Sequence, residues 1–152
     1  MEVTYLLDTT VLLHWTRASR QAMAIIQRFH LEASSLRPLV CEVSLGEMLA
    51  FSRSLGWGAQ KRERLAEIER QVVVIDISDR RVMEAFADLS TLAQKSGWSL
   101  FHGKNDLWVA AAAKATGAHL LSMDKDFLPL RGLEGWNVTI LDDHTGEPIT
   151  AL

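Results

Sequence analysis

Among its 152 residues the chain has one cysteine, so no internal disulfide can form. Cys41 stands in an apolar run that reads as core, which suits a reducing compartment. No apolar run approaches the roughly 20 residues that a membrane-spanning helix needs. Tyr5-Leu6-Leu7 is cut by Asp8, and Val11-Leu12-Leu13 is too short for the apolar part of a secretory signal. The expectation is a cytoplasmic protein with no membrane partner. Repeats, low-complexity stretches and linkers are also missing, so one domain over residues 1–152 is expected, long enough to bury a core. His14, His30 and His119 lack mutual metal-ligand spacing, which argues against zinc. Excess charge of either sign is absent too: 16 basic and 19 acidic residues leave −3. That argues mildly against nucleic acid. However, carboxylates neutralised by a bound cation would drop out of the balance, so it excludes nothing.

What is present is organised around Lys104 to Phe127. Asn105 reads as a helix cap, with Asp106 in the first turn, where the helix dipole favours a carboxylate. Ala110 to Ala113 let that helix lie close against a sheet, and Gly117 suits its C′ position. His119 to Ser122 is too short for a helix and reads as a strand that delivers Asp124 at its C-terminal end. In an open α/β sheet that edge is where ligands bind.

Elsewhere the periodicity predicts strands at Val3–Leu7, Leu39–Cys41, Val72–Ile75 and Asn137–Leu141, the third a buried parallel strand. Helices are predicted from Ser19 to Ala33, from Ser44 to near Gly56, and from Ala59 to Gln71. Another runs from Ser78, as its cap, to near Gly97, with Val82, Met83, Phe86, Leu89 and Leu92 on one face. Trp98–Lys104 reads as a loop, Pro129–Trp136 as irregular, and residues 142–152 as a loosely held polar tail. Strands alternating with helices give an α/β fold: a central parallel sheet of order 3-2-1-4-5 with helices on both faces. Strands 1 and 4 then lie side by side at the switch point, which brings Asp8 next to Asp124.

Carboxylates converging on that rim suit a hard divalent cation. Ser44-Leu45-Gly46-Glu47 fits a capping box that would fold Glu47 onto the Ser44 amide, with Glu42 near enough to substitute for it in any other role. Asp126 is expected to cap or support, and Asp76, at strand 3, to be a turn residue. Lys104, Lys125 and Arg131 could line the rim, and His102 could meet a phosphate. Trp108 reads as core and Trp57 as an exposed anchor. A phosphatase using Asp8 lacks a second acid at Thr10, and a receiver using Asp76 lacks a lysine at Leu141-Asp142-Asp143.

Four motifs carry a resemblance: Tyr5-Leu6-Leu7-Asp8-Thr9, Ser44-Leu45-Gly46-Glu47-Met48-Leu49, Asn105-Asp106-Leu107-Trp108-Val109-Ala110-Ala111 and Leu121-Ser122-Met123-Asp124-Lys125-Asp126-Phe127. Together they resemble the PIN-domain ribonucleases, above all the VapC toxins of toxin–antitoxin pairs, from Val3 to about Leu141. The resemblance implies a single PIN-like domain and a Mg2+- or Mn2+-dependent endoribonuclease, often a homodimer, held inactive by a cognate small antitoxin. By position it implies that Asp8, Glu47, Asp106 and Asp124 form the catalytic, metal-binding quartet, with Thr9, Thr10, Ser122 and Asp126 in support. The chain departs from the family at Thr10, commonly Asn or Ser there, and at Ser122, commonly Thr. Both replacements keep an oxygen. The alternative function is a catalytically silent PIN-like module that binds RNA or protein; it would be expected to lack part of the quartet.

Overall fold

The computed structural model describes residues 2–33, 35–99, 102 and 104–150. Five short parallel strands form the centre: β1 (Tyr5–Leu7), β2 (Leu39–Cys41), β3 (Val73–Ile75), β4 (His119–Ser122) and β5 (Asn137–Ile140). Their order is β3-β2-β1-β4-β5, as the alternation of elements predicts. Successive strand residues point to opposite faces, and each face builds its own core. Leu6, Cys41, Leu120 and Ile140 join one core, Leu7, Val40 and Leu121 the other.

Helices α1 (Thr9–Thr16), α2 (Arg20–Arg28), α3 (Glu42–Ser54) and α4 (Ala59–Gln71) supply residues such as Leu12, Ile25, Met48 and Leu65 to the second core. The first core takes Leu89 and Ala93 from α5 (Arg80–Ser96), and Leu107, Val109 and Ala110 from α6 (Lys104–Thr116). Five alanines in α6 let it come close to the sheet and to α5; four of them, Ala110 to Ala113, are buried. A 3-10 helix, Lys125–Leu130, joins β4 to β5. No described helix is long and apolar enough to cross a membrane.

Several local expectations change. The helix α1 follows Asp8 directly, in a Thr-Thr-Val-Leu-Leu run that carries no helical stripe because it is buried nearly all round. The helix α2 stops at Arg28, with Phe29 as C-cap and His30 at positive φ, five residues short of Ala33. Strand β3 is at the sheet edge, so Val73 and Val74 are 38% and 44% exposed rather than buried. Asp79, not Ser78, caps α5 through a bond from the Arg81 amide, and Met83 and Leu92 face solvent. Gly97 ends α5 at φ 68°, as its position predicts. Trp57 is 6% exposed and belongs to the second core, so it is no exposed anchor. Trp108 is half-buried and stacks on Phe86, with centroids 3.8 Å apart.

The expected loose tail is folded back as far as Ile149. Leu141 bridges Pro148 antiparallel, and the Asp142 and Ile149 amides donate to the Glu147 and Ile140 carbonyls. Arg28 pairs with Glu147, and the Gln21 amide group donates to the Asp143 carbonyl at 3.0 Å.

Candidate metal centre

Parallel pairing of β1 with β4 sets Leu6 opposite Leu120 and Leu7 opposite Leu121, so the residues that follow leave the sheet side by side. The Asp8 amide still donates to the Leu121 carbonyl, at 3.0 Å, before the chain turns into α1. The Asp8 side chain is 2% exposed, and its Oδ2 accepts from the Ser122 hydroxyl at 2.7 Å and the Thr10 hydroxyl at 2.9 Å. Those hydroxyls are held in turn. Ser122 Oγ accepts from the Asp124 amide at 2.9 Å, and Thr10 Oγ1 from the Met123 amide at 3.0 Å. Thr10 and Ser122 thus lace the two strand exits together around one carboxylate.

Asp124 caps the 3-10 helix, its Oδ1 accepting from the Asp126 amide at 2.9 Å. Asp106 stands in the first turn of α6; that helix begins at Lys104, so Asn105 lies inside it rather than at its cap. Carboxylate oxygens of Asp106, Asp124 and Asp126 lie within 4.8 Å of one another. Asp126, expected only to cap or support, is therefore part of the tightest acidic group among the described residues. Ser99, which nothing in its loop context singled out, donates to Asp126 Oδ1 at 3.0 Å.

Glu47 arrives from α3. The capping box does not form: β2 runs straight into α3 with Cys41 as N-cap, which leaves Ser44 inside the first turn. Glu47 Oε1 instead accepts from the Thr9 hydroxyl at 2.7 Å. Glu42, the substitute, is committed elsewhere, its Oε1 accepting from the Ile77 amide at 2.9 Å.

Charge crowding marks the site. Burial raises the Asp8 carboxyl above its ordinary range against the pull of the Ser122 and Thr10 hydroxyls, and Asp124 adds to the rise. Asp106 is pushed up to about 7, first by burial and then by the negative charges of Asp8, Asp124, Glu47 and Asp126. All four other acids therefore act on Asp106 electrostatically. Such a set offers oxygen donors only and holds like charges close, which fits a hard divalent cation such as Mg2+ or Mn2+ and not a zinc site.

The model for the PIN domain matches residues 5–132. The chain belongs to the PIN-domain family. Its fold is similar to that of VapBC2 from Rickettsia felis, solved bound to a DNA fragment from their promoter. The TM-score is 0.73 at 16% identity, covering 90% of this chain and 97% of that one. VapBC-5 from Mycobacterium tuberculosis, a member of the VapBC family of toxin–antitoxin systems, gives 0.68 at 22% identity, with 91% and 99% covered. VapBC-1 from nontypeable Haemophilus influenzae gives 0.70 at 19%, with 90% and 98% covered. No curated protein sequence matches the chain.

Beside Asp124 of this PIN domain, a cleft of about 460 Å3 is lined by Thr10, Met123, Asp124, Lys125 and the returning segment at Asp143 and Ile149. Lys125 is thus at the rim. Arg131 is not: it lines a cavity with His119 and Asn137, the first residues of β4 and β5, at the opposite edge of the sheet. Asp76 accepts from the Ser78 amide at 2.8 Å, the turn role expected of it. His102 is exposed, in a loop whose residues 100, 101 and 103 lie outside the described ones.

Proposed function

We propose that this PIN domain is a Mg2+- or Mn2+-dependent endoribonuclease, the toxin of a toxin–antitoxin pair, and that it acts in the cytoplasm. The observation that carries the reading is the convergence of Asp106, Asp124 and Asp126 within 4.8 Å, at the edge where Asp8 and Glu47 also press on Asp106. Asp8, Glu47, Asp106 and Asp124 are the residues proposed to hold the cation, with Asp126 beside them. When bound, the cation would polarise a phosphate oxygen and make water a better nucleophile at neutral pH.

The chain's own groups do the rest. Ser122 and Thr10 hold Asp8 by one oxygen, so that a buried carboxylate keeps one orientation. Burial and the neighbouring acids raise the Asp106 carboxyl, so holding the cation would release its proton. Lys125, exposed on the cleft, offers a cation to an RNA phosphate. A complete set of acids favours an active enzyme over a silent binding module. The solved relatives support a small antitoxin as partner, and the family resemblance supports a homodimer. The test is cleavage of RNA by the purified protein with Mg2+ or Mn2+, abolished by a chelator. Full cleavage in excess chelator overturns the reading.

A further inference from the structure

Two hydroxyls near Glu47 have a peculiar placement. Thr9 opens α1 and is 8% exposed; Ser44 is in the first turn of α3 and fully buried. In a first turn no helical carbonyl lies one turn back to take a hydroxyl proton, so each must find a partner elsewhere. They find each other across the seam between α1 and α3, with oxygens 2.9 Å apart. Thr9 Oγ1 also lies 2.7 Å from Glu47 Oε1. Ser44 and Glu47, three residues apart, share the helix face that meets α1.

A hydroxyl has one proton to give, and an ionised carboxylate only accepts. The proton of Thr9 therefore goes to Glu47, and that of Ser44 goes to Thr9. The chemistry of the last member fixes the direction of the whole chain: Ser44 to Thr9 to Glu47. Glu47 itself is half-buried and would otherwise turn freely about its side-chain bonds.

We infer that Ser44 and Thr9 are positioning residues for Glu47: their relay anchors Oε1 and leaves Oε2 free for the divalent cation. The inference rests on the metal-dependent reading above and adds to it two residues that touch neither cation nor substrate. It also explains why a serine three residues before Glu47 is buried without serving as a cap.

The test compares wild type, Thr9→Val, Thr9→Ser and Ser44→Ala as full-length proteins. Mn2+ affinity is read from the free-ion signal in electron paramagnetic resonance, and melting temperature is measured in chelator. Loss of an orienting partner of a metal ligand typically weakens binding by about 10- to 100-fold, and Thr9→Val is expected in that range. Thr9→Ser keeps the hydroxyl and is expected to stay near wild type, with Ser44→Ala in between. If Thr9→Val melts lower but binds Mn2+ as wild type does, the hydroxyls only support the fold and the inference fails. If Thr9→Ser loses affinity as fully as Thr9→Val, shape and not the hydroxyl matters, and it fails again. Wild type that binds no Mn2+ overturns the metal-dependent reading itself, a result distinct from either. If Thr9→Val does not fold, Ser44→Ala against Thr9→Ser decides by the same measurements.

Discussion

Asp106 is where the crowding of carboxylates becomes measurable without any substrate. Its carboxyl ordinarily titrates near 3.8 and sits at about 7 in the folded protein. Between those values the native state binds more protons at Asp106 than the unfolded chain does, so the contribution of this group to metal-free stability is fully present below about pH 4 and is lost as pH rises through about 7. Burial of Asp8 acts with the same sign. In chelator, melting temperature should fall from about pH 5 to about pH 8, and saturating Mg2+ should remove or reverse the fall, since the ligands bind deprotonated. A flat profile in chelator would show that the acids do not crowd Asp106. Asp106→Asn removes one of the mutually repelling charges, each pair worth roughly 1 kcal/mol in water and about 4 at a surface-like dielectric when about 4 Å apart. It gives up a helix-dipole interaction of about 0.3–1 kcal/mol. In chelator at pH 8 the variant should therefore melt at or above wild type. With Mg2+ at about 100 times its dissociation constant, wild type gains roughly 2.7 kcal/mol and the order should reverse. Equal destabilisation in both conditions would reduce Asp106 to a helix-start residue.

Elements were legible where an apolar run ended in an acid and obscure where packing overrode local signals. Leu6-Leu7-Asp8 and Leu120-Leu121-Ser122 announce strands because their side chains have cores on both faces. Ser44, Ser78 and Asn105 all look like caps, yet Cys41 and Asp79 take the first two positions and α6 starts before the third. The turn that precedes each helix is set by the sheet, which local propensity does not see. Trp57 looked free because the charged α4 hides a two-residue buried stripe, Leu65 and Ile68, under which the ring lies. The shift of the α3 start has a functional consequence. With Ser44 no longer a cap, Glu47→Gln should abolish RNA cleavage with little change in melting, whereas Glu42→Gln, altering the bond to the Ile77 amide, should leave cleavage intact. Cleavage assays on both variants check this, and retained turnover by Glu47→Gln would sink the site role. The C-terminal return makes its own prediction. Gly146 has φ 76°, and an added Cβ would lie 2.7 Å from the Gln21 carbonyl oxygen, so Gly146→Ala should cost about 1–3 kcal/mol, read by thermal or urea melts.

At the scale of the molecule, strand order and the meeting of Asp8 with Asp124 followed from element alternation and handedness alone. The tightness of Asp126 in the group did not, because it depends on a 3-10 turn after β4 that no periodicity announces. A homodimer is the expected assembly, and sedimentation at tens of micromolar should give about twice the 17.0 kDa chain mass. A monomer there removes it. The pairing of β1 with β4 also has a consequence in time. Ser122 donates to Asp8 across 114 positions, and Asp8 and Glu47 precede Asp106, the first of the other acids, by 98 and 59 positions. During synthesis the first two emerge from the ribosome long before Asp106, Asp124 and Asp126 exist. A nascent or truncated chain carries two of the five carboxylates and lacks the strand that closes the sheet beside β1. For a protein proposed to cut RNA, this means that the full set of acids cannot assemble around a cation before Asp126 has been made.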